Sequence, residues 1–531
     1  MRTGPWQTER PARGLFAHLP APRSTPSQAG RPRTAPAVAA PLGGTDGHAP
    51  VDELRSVFER APDPADTGRL LELFVGQQEA TVPPVGRDAA RDAWVSSRRR
   101  RTLSSRELLE QPALPHLVKS VFDFYFRDDL YGYWAGQEPI ILSSGSFDET
   151  VFGLPASLKD CIRYALDRNW YGYSDSLGRA SAREALAVLE TVRFGGRLTV
   201  GADRIAVTLG GTAALDSIVD LLAGARPHDT RPALCAVPNY PPLMAAMARR
   251  MPVHCVETPI VYGGTDITAL IERARGGARM ILLQTVTNPS GLRVPEERLA
   301  ELIEAAPPDC YIVLDECHDA FGPEVPLTPA RMADNVISIR SVSKRWGAPG
   351  LKAGWLVASP DVIDEFYGQA STTYGGPPSL FYLLIEMLGL FEAARLGGAM
   401  DVPAVLGRLS DDYGLNTATL EAGFADYLRA TEEMTERVLR CRRHAVDALD
   451  SMGVPVLVPE YSINLLARFG NEPSYRTYRR LISETGVSTY PGLLCVAGGP
   501  GLVRLSPCLP ESVLDEAMAR LAKWAARREE G

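Results

Sequence analysis

Lysine is scarce in this sequence: it occurs at positions 119, 159, 344, 352 and 523, against a combined Lys+Arg count of 56. Where arginine fills most positions that need only charge, a retained lysine points to chemistry that an amine performs and a guanidinium does not. Lys344 lies in Ser341-Val342-Ser343-Lys344-Arg345-Trp346-Gly347, directly after an apolar run. An amine flanked by hydroxyls at a strand end can condense with a carbonyl to an imine while the hydroxyls hold a phosphate; the plain alternative is a surface lysine. Four other segments carry comparable groups. In Asp315-Glu316-Cys317-His318 the aspartate closes an apolar run, where a carboxylate needs a partner: an arginine, a helix end or a protonated ring nitrogen. Asn288-Pro289-Ser290-Gly291 is a turn signal whose asparagine amide can donate to a phenolate oxygen. Pro238-Asn239-Tyr240-Pro241 offers an aromatic ring, either packed in a turn or stacked on a flat ligand. Leu209-Gly210-Gly211-Thr212 follows another apolar run and opens a helix, as a plain turn or as an anion site made of backbone N–H groups.

These groups need elements to hold them. Short, β-rich apolar runs at 204–208, 233–238, 253–256, 279–286, 310–315, 335–340 and 353–358 alternate with longer helical stretches. That alternation predicts an α/β fold with a mostly parallel sheet of about seven strands, covered on both faces. In such sheets ligands bind beyond the strand C-termini, and the five segments fall there in order. Further strand-like runs at 454–458, 464–469 and 502–505, before a closing helix, predict a smaller α+β domain.

Composition removes other classes of function. A length of 531 residues allows two or three domains, and 45% hydrophobic with 23% charged residues is ordinary globular composition. No uncharged apolar run approaches the roughly 18–20 residues of a membrane span, and no signal-peptide stretch opens the chain, so a cytoplasmic location is expected. A net charge of −8 argues against a nucleic-acid scaffold, and Arg98-Arg99-Arg100-Arg101 reads as a solvated run. The eight cysteines are scattered without a CxxC pair, which predicts reduced thiols and neither a disulfide framework nor a zinc site. HExxH, GxxxxGK[ST] and a strand-borne GxGxxG are absent; no metal is expected.

Asn288-Pro289-Ser290-Gly291, the strand-end Asp315, and Ser341-Val342-Ser343-Lys344 followed by Pro349-Gly350-Leu351-Lys352-Ala353-Gly354 together resemble the class I/II aminotransferases. These are fold-type-I enzymes dependent on pyridoxal 5′-phosphate (PLP), and the resemblance covers residues 116–531. It implies that Lys344 holds the cofactor as a Schiff base and carries the proton between Cα and C4′. Asp315 would pair with the pyridine nitrogen, Asn288 would bond the ring O3′, and Tyr240 would stack on the ring. Gly211, Thr212, Ser341 and Ser343 would hold the phosphate. Arg504, in Gly501-Leu502-Val503-Arg504-Leu505-Ser506, matches the clamp on the substrate α-carboxylate, for which a guanidinium fork is suited. Gly145, in Ser143-Ser144-Gly145-Ser146-Phe147-Asp148, matches the loop over the substrate. Tyr173 matches a tyrosine that reaches the neighbouring subunit's phosphate, which implies a homodimer with shared sites.

Two positions depart from the family pattern. His318 stands where the family commonly has tyrosine; it either replaces a hydrogen bond to O3′ or adds an acid/base group, because histidine titrates near neutrality. Lys352 stands where the family usually has a phosphate-binding arginine; it binds phosphate as a point charge or brings a second amine into the chemistry. An aminotransferase acting on a small L-amino acid, in specialised (secondary) metabolism, is the leading expectation. The alternatives are a γ-elimination or replacement enzyme using an S-adenosylmethionine-like substrate, and an aminotransferase-like transcription regulator. The expected organisation is a disordered tail (1–50), a helical extension (51–115), an arm joining the small domain (116–165), a large PLP-binding domain (166–395), an insertion (396–430) and a C-terminal small domain (431–531).

Overall fold

The seven apolar runs form one sheet. The computed structural model describes residues 52–79, 103–261, 264–397 and 413–529, with single positions between 398 and 412; the expected tail at 1–50 and the arginine run at 98–101 lie outside the described residues. The strands are β1 (Ile205–Thr208), β2 (Ala233–Val237), β3 (Val253–Glu257), β4 (Met280–Gln284), β5 (Tyr311–Asp315), β6 (Val336–Ser341) and β7 (Gly354–Val357). Their spatial order is β1-β7-β6-β5-β4-β2-β3. Neighbours from β6 to β3 pair in parallel, whereas β7 is antiparallel to both β1 and β6.

The strands read as unbroken apolar runs because both faces are covered. Along β2, Cys235 and Val237 enter one buried cluster, and Leu234 and Ala236 enter another on the opposite face. This is the two-residue alternation of side chains in a strand, with both sides dry. The strand directions also gather the chemistry. Six strands end at one edge of the sheet, and the reversed β7 begins there, with Gly354 registered against both Thr208 and Ser341. Lys352, two residues before β7, is thereby brought to the edge where the other strands end.

A second, antiparallel sheet contains β8 (Val456–Leu457), β9 (Leu465–Arg468), β10 (Tyr490–Pro491) and β11 (Leu502–Leu505), in the order β8-β9-β11-β10. The two-residue β10 was not among the expected strands; it carries Pro491 and lies at the sheet edge, where a missing N–H is tolerated. Arg504 lies on the inner strand β11, opposite Leu466 and Tyr490. Ile140–Ile141 pairs in parallel with Val487–Ser488, which ties the arm to this part of the chain. The helix Thr417–Ser451 is capped by the Asn416 side chain at Thr419 N and runs without a break through residue 430, where the sequence reading ended an insertion.

The N-terminal helices Asp52–Arg60 and Thr67–Glu79 bury Leu54, Val57, Phe58, Leu70 and Phe74 in the core shared with helix Leu114–Phe124. Glu53 then accepts hydrogen bonds from the backbone N–H groups of Ser474 and Tyr475 and from the Ser474 hydroxyl, at the start of helix Ser474–Thr485. Helix starts lack intrahelical partners for their N–H groups, so the carboxyl group supplies what the sequence-local cap, Pro473, does not. Burial raises the Glu53 pKa to about 7, and the hydrogen bonds from Ser474 and Tyr475 only partly oppose it. A raised carboxyl pKa means that the folded chain takes up a proton between the ordinary value and about 7, so this contribution favours docking at lower pH and is lost as pH rises through 7. Glu53→Gln is expected to flatten the fall of melting temperature between pH 5 and 8; parallel pH profiles for the two proteins would refute this role.

Candidate active site

A cleft of roughly 240 Å³ opens at the sheet edge where the strands end, lined among others by Gly211, Thr212, Tyr240, Asn288, Asp315, His318, Ser341, Ser343, Lys344, Lys352, Gly145 and Arg504. Of the residues singled out in the sequence, Tyr173 alone is not brought to this cleft by its own chain. Its ring is fully exposed, and Tyr171 beside it is also exposed.

Lys344 follows β6, and its partly buried amine donates to the Gly145 carbonyl. Loss of solvation, with Arg504 as the next cause, brings the amine pKa from 10.5 down to about 8. Gly145 has φ +63°, and a Cβ there would lie 2.9 Å from Arg504 Nη2. Glycine therefore lets this loop take a positive φ and approach Arg504 closely. The Gly145 N–H donates to Ser506 Oγ at 3.1 Å, which pins the loop to the end of β11.

The Arg504 guanidinium is held on three sides. Nη1 donates to Asn288 Oδ1 at 3.1 Å, Nη2 donates to the Ser143 carbonyl at 2.8 Å, and the plane lies 3.9 Å from the Tyr490 ring centroid. Its buried Nε has no hydrogen-bond partner among the described residues. With Asn288 Oδ1 engaged, the Asn288 amide NH₂ is the end left to donate.

Asp315 ends β5. Its Oδ2 accepts from Gln284 Nε2 at 2.9 Å and its Oδ1 accepts from Cys317 N at 3.0 Å. Gln284 also accepts the Asn288 N–H at 3.2 Å, so one side chain sets the two loops relative to each other. Three residues on, the buried His318 pairs Nδ1 with Ser462 Oγ at 2.8 Å. Burial first, and then the charges of Lys344 and Arg504, push its pKa well below the ordinary histidine value. The imidazole is therefore neutral at physiological pH, with Nε2 as its remaining nitrogen.

At the other end, Gly211 opens the helix Gly211–Ala225. A Cβ on Gly211 would come within 2.5 Å of Cys317 Sγ, so the absent side chain makes room at the helix start. Ser341 Oγ and Ser343 Oγ are 2.6 Å apart, and Lys352 is exposed beside them on a left-handed turn with φ +51°. Backbone N–H groups at a helix start, two hydroxyls and one ammonium make an anion-binding set.

The donors fit PLP in kind: an amine with a lowered pKa, a carboxylate for a protonated ring nitrogen, an asparagine donor, an aromatic face on Tyr240 and an anion set. Sequence reasoning missed Gln284, Ser462, Phe122, Phe126 and Tyr490. Gln284 lies inside the expected run 279–286 and ends β4, so its position next to Asp315 could have been found from strand order; the others meet the cleft only through long-range packing.

Beneath the cleft lies a buried network of charges. Arg340 grips Glu190 bidentately at 3.1 Å and also bonds Glu316, and Trp355 Nε1 donates to Glu190 at 2.9 Å. Arg331 pairs with Glu316 at 3.0 Å and with Glu296 at 2.6 Å. Arg293 joins Glu296 at 2.9 Å to Asp319 at 2.8 Å, and Arg193 reaches Asp319 at 2.9 Å. Glu316 and Asp319 flank the turn that carries Cys317 and His318. Burial opposes ionisation of Asp319, but Arg293 and Arg193 outweigh it and hold the pKa at about 2.

Residues 138–394 match the family described as aminotransferase class I and II. An aromatic amino acid aminotransferase of Mycobacterium ulcerans is 27% identical over 267 residues, covering 49% of this chain and 68% of the relative. A histidinol-phosphate aminotransferase of Thermococcus gammatolerans is 28% identical over 221 residues, covering 41% of this chain and 59% of the relative. Among solved structures, aspartate aminotransferase from Thermus thermophilus with maleate superimposes with a TM-score of 0.58 at 23% identity, covering 80% of this chain and 99% of that one. An Escherichia coli protein with a methionine aminotransferase function gives 0.59 at 20% identity, covering 74% and 95%. These two likenesses establish the fold. Over residues 138–394 the chain matches the class I and II aminotransferases, whose members are fold-type-I enzymes that depend on PLP.

Proposed function

We propose that the chain is an aminotransferase that moves the amino group of an L-amino acid to a 2-oxo acid. The observation that carries this reading is the fixed Arg504 guanidinium beside the lowered-pKa Lys344 amine, in one cleft with Asp315. PLP, when bound, supplies an electron sink that labilises bonds at Cα. The protein's part is to bind, orient and move protons. Arg504 holds the α-carboxylate through its fork and its unpartnered Nε. Lys344 Nζ, neutral for a large fraction of the time near pH 8, takes the Cα proton. Asp315 keeps the ring nitrogen protonated. Asn288, through its amide NH₂, and His318 hold the phenolate end, while Tyr240 supports the ring. Gly211, Thr212, Ser341, Ser343 and Lys352 hold the phosphate. The Gly145 loop closes over the substrate.

A homodimer is part of the same proposal, because the exposed Tyr173 has no role within its own chain's cleft. No helix among the described residues is long and apolar enough to cross a membrane, which supports a cytoplasmic enzyme. A specialised metabolic role is proposed from the N-terminal extension and the segment at 397–419. A second reading, elimination or replacement on an S-adenosylmethionine-like substrate, is favoured by His318 alone: a neutral imidazole in the cleft is an added acid/base group.

The test is to expose the holoprotein to single amino acids and to S-adenosylmethionine, with mass spectrometry of cofactor and products. Conversion of the cofactor to pyridoxamine phosphate with release of a 2-oxo acid is expected. Retained PLP with a released thioether nucleoside would instead favour the second reading.

A further inference from the structure

We propose that Phe122 and Phe126 determine specificity by forming an apolar wall at the side-chain end of the cleft, and that the enzyme selects L-amino acids with large apolar, above all aromatic, side chains. This rests on the aminotransferase reading and names its substrate class.

Both rings come from outside the sheet. Helix Leu114–Phe124 continues as a π-helical stretch, Tyr125–Tyr133, and carries Phe122 and Phe126 four residues apart on one face. Val118, Val121 and Tyr125 of the same segment are fully buried, whereas Phe122 and Phe126 remain half-buried and line the cleft. The two rings meet edge to face at 4.9 Å. Phe122 reaches Tyr240 at 5.7 Å and Tyr490 at 6.5 Å, and Phe126 reaches Tyr490 at 6.2 Å. Leu243 lines the same cleft. Pairwise ring contacts of this kind fix the wall's shape, and helices Asp52–Arg60 and Thr67–Glu79 back the same core.

The cations near this wall are already engaged: Lys119 Nζ, 5.5 Å from the Phe122 ring centroid, is paired with Asp123 at 2.6 Å. Arg504 stacks on Tyr490 and spends one donor of each Nη on Asn288 and Ser143, which leaves its remaining donors for the α-carboxylate. Lys344 faces Gly145. Lys352 belongs to the opposite end, where its backbone lies 3.6 Å from a Cβ built on Gly210. Among the described residues, no second arginine lines the cleft. A substrate fixed at its carboxylate by Arg504 and at Cα by Lys344 has its side chain left to the phenyl wall. Within one chain's cleft, a distal carboxylate there would lose hydration without an unpaired cation in exchange, whereas an aromatic ring exchanges water for aromatic contact.

The experiment uses the holoenzyme and two dead-end acids, 3-phenylpropanoate and succinate, titrated against the visible cofactor band. The expected result is binding of 3-phenylpropanoate at least about tenfold tighter than succinate, with that preference reduced about tenfold or more in Phe122→Ala and Phe126→Ala, in keeping with what an apolar pocket discriminates. Phe122→Leu should retain part of it. In turnover, kcat/KM for phenylalanine relative to alanine should fall in the same order of variants. Succinate binding as tightly as 3-phenylpropanoate, or a preference unchanged in both alanine variants, overturns the proposal. The titration needs no turnover, so an enzyme that transaminates nothing would sink the aminotransferase reading while the wall is still decided.

Discussion

Lys344→Ala is expected to lower turnover by at least about a thousandfold while leaving the fold intact. A positioned general base contributes roughly 10²–10⁴ on its own, and the same amine is proposed to anchor the cofactor covalently. The residue has few packing duties: its recorded hydrogen bond goes to the Gly145 carbonyl, so its removal leaves one acceptor to be met by water. The nearby Lys352 gives the control. It is exposed and sits at the anion end, so Lys352→Ala should weaken cofactor retention and spare the proton transfer. A pH experiment separates the amine's role from simple charge. With its pKa drawn down to about 8, Lys344 becomes nucleophilic well below the ordinary lysine range. The rate at which apoprotein captures PLP should therefore rise with pH around a midpoint near 8. A midpoint near 10.5, or a Lys344→Ala protein with wild-type steady-state turnover, would remove Lys344 from the chemistry.

What was legible in the sequence follows from the range of the forces involved. The seven sheet strands appear within one residue of the expected ends at every boundary but the end of β4, because a doubly covered strand must be apolar along its whole length. Strand direction then carries Asn288, Asp315 and Lys344 to one edge, and this too can be reasoned from alternation of strand and helix. The wall residues are different. Phe122 and Phe126 have the spacing of any amphipathic helix, and nothing local distinguishes a ring facing a cleft from one facing a core. Glu53 caps a helix 421 positions away, and Ser462 meets His318 across 144 positions; neither carries a local signal. Tyr173 is exposed, and the role proposed for it needs a partner subunit that one chain does not supply.

Arg340→Ala is expected to destabilise the protein by about 3–5 kcal/mol, the cost of leaving buried carboxylates without their cation. Arg340 serves two of them, Glu190 through a bidentate pair and Glu316 through Nη1, and all three side chains are almost wholly buried. Glu190 retains Trp355 Nε1 at 2.9 Å, and Glu316 retains Arg331 at 3.0 Å, which keeps the loss at the scale of one broken buried pair and not two. Burial opposes the charge on Glu190, but Arg340 and then Arg193 outweigh it and hold its pKa below the ordinary value. Without Arg340 the burial effect dominates and that pKa rises. A raised folded-state pKa adds stability at low pH that is lost as pH rises, so the deficit of the variant should shrink between pH 7 and 5. Urea denaturation at both pH values measures this. Adding Glu190→Gln to Arg340→Met should recover part of the loss, because a neutral, similarly shaped set no longer buries an unpaired charge. The effect should reach the cleft as well. Glu316 and Asp319 bracket the turn bearing Cys317 and His318, and Cys317 N is one of the two donors to Asp315. An Arg340→Ala protein with an unchanged urea midpoint would mean that the network is dispensable to the fold. One that loses stability but keeps wild-type cofactor affinity would mean that Gln284 alone suffices to aim Asp315.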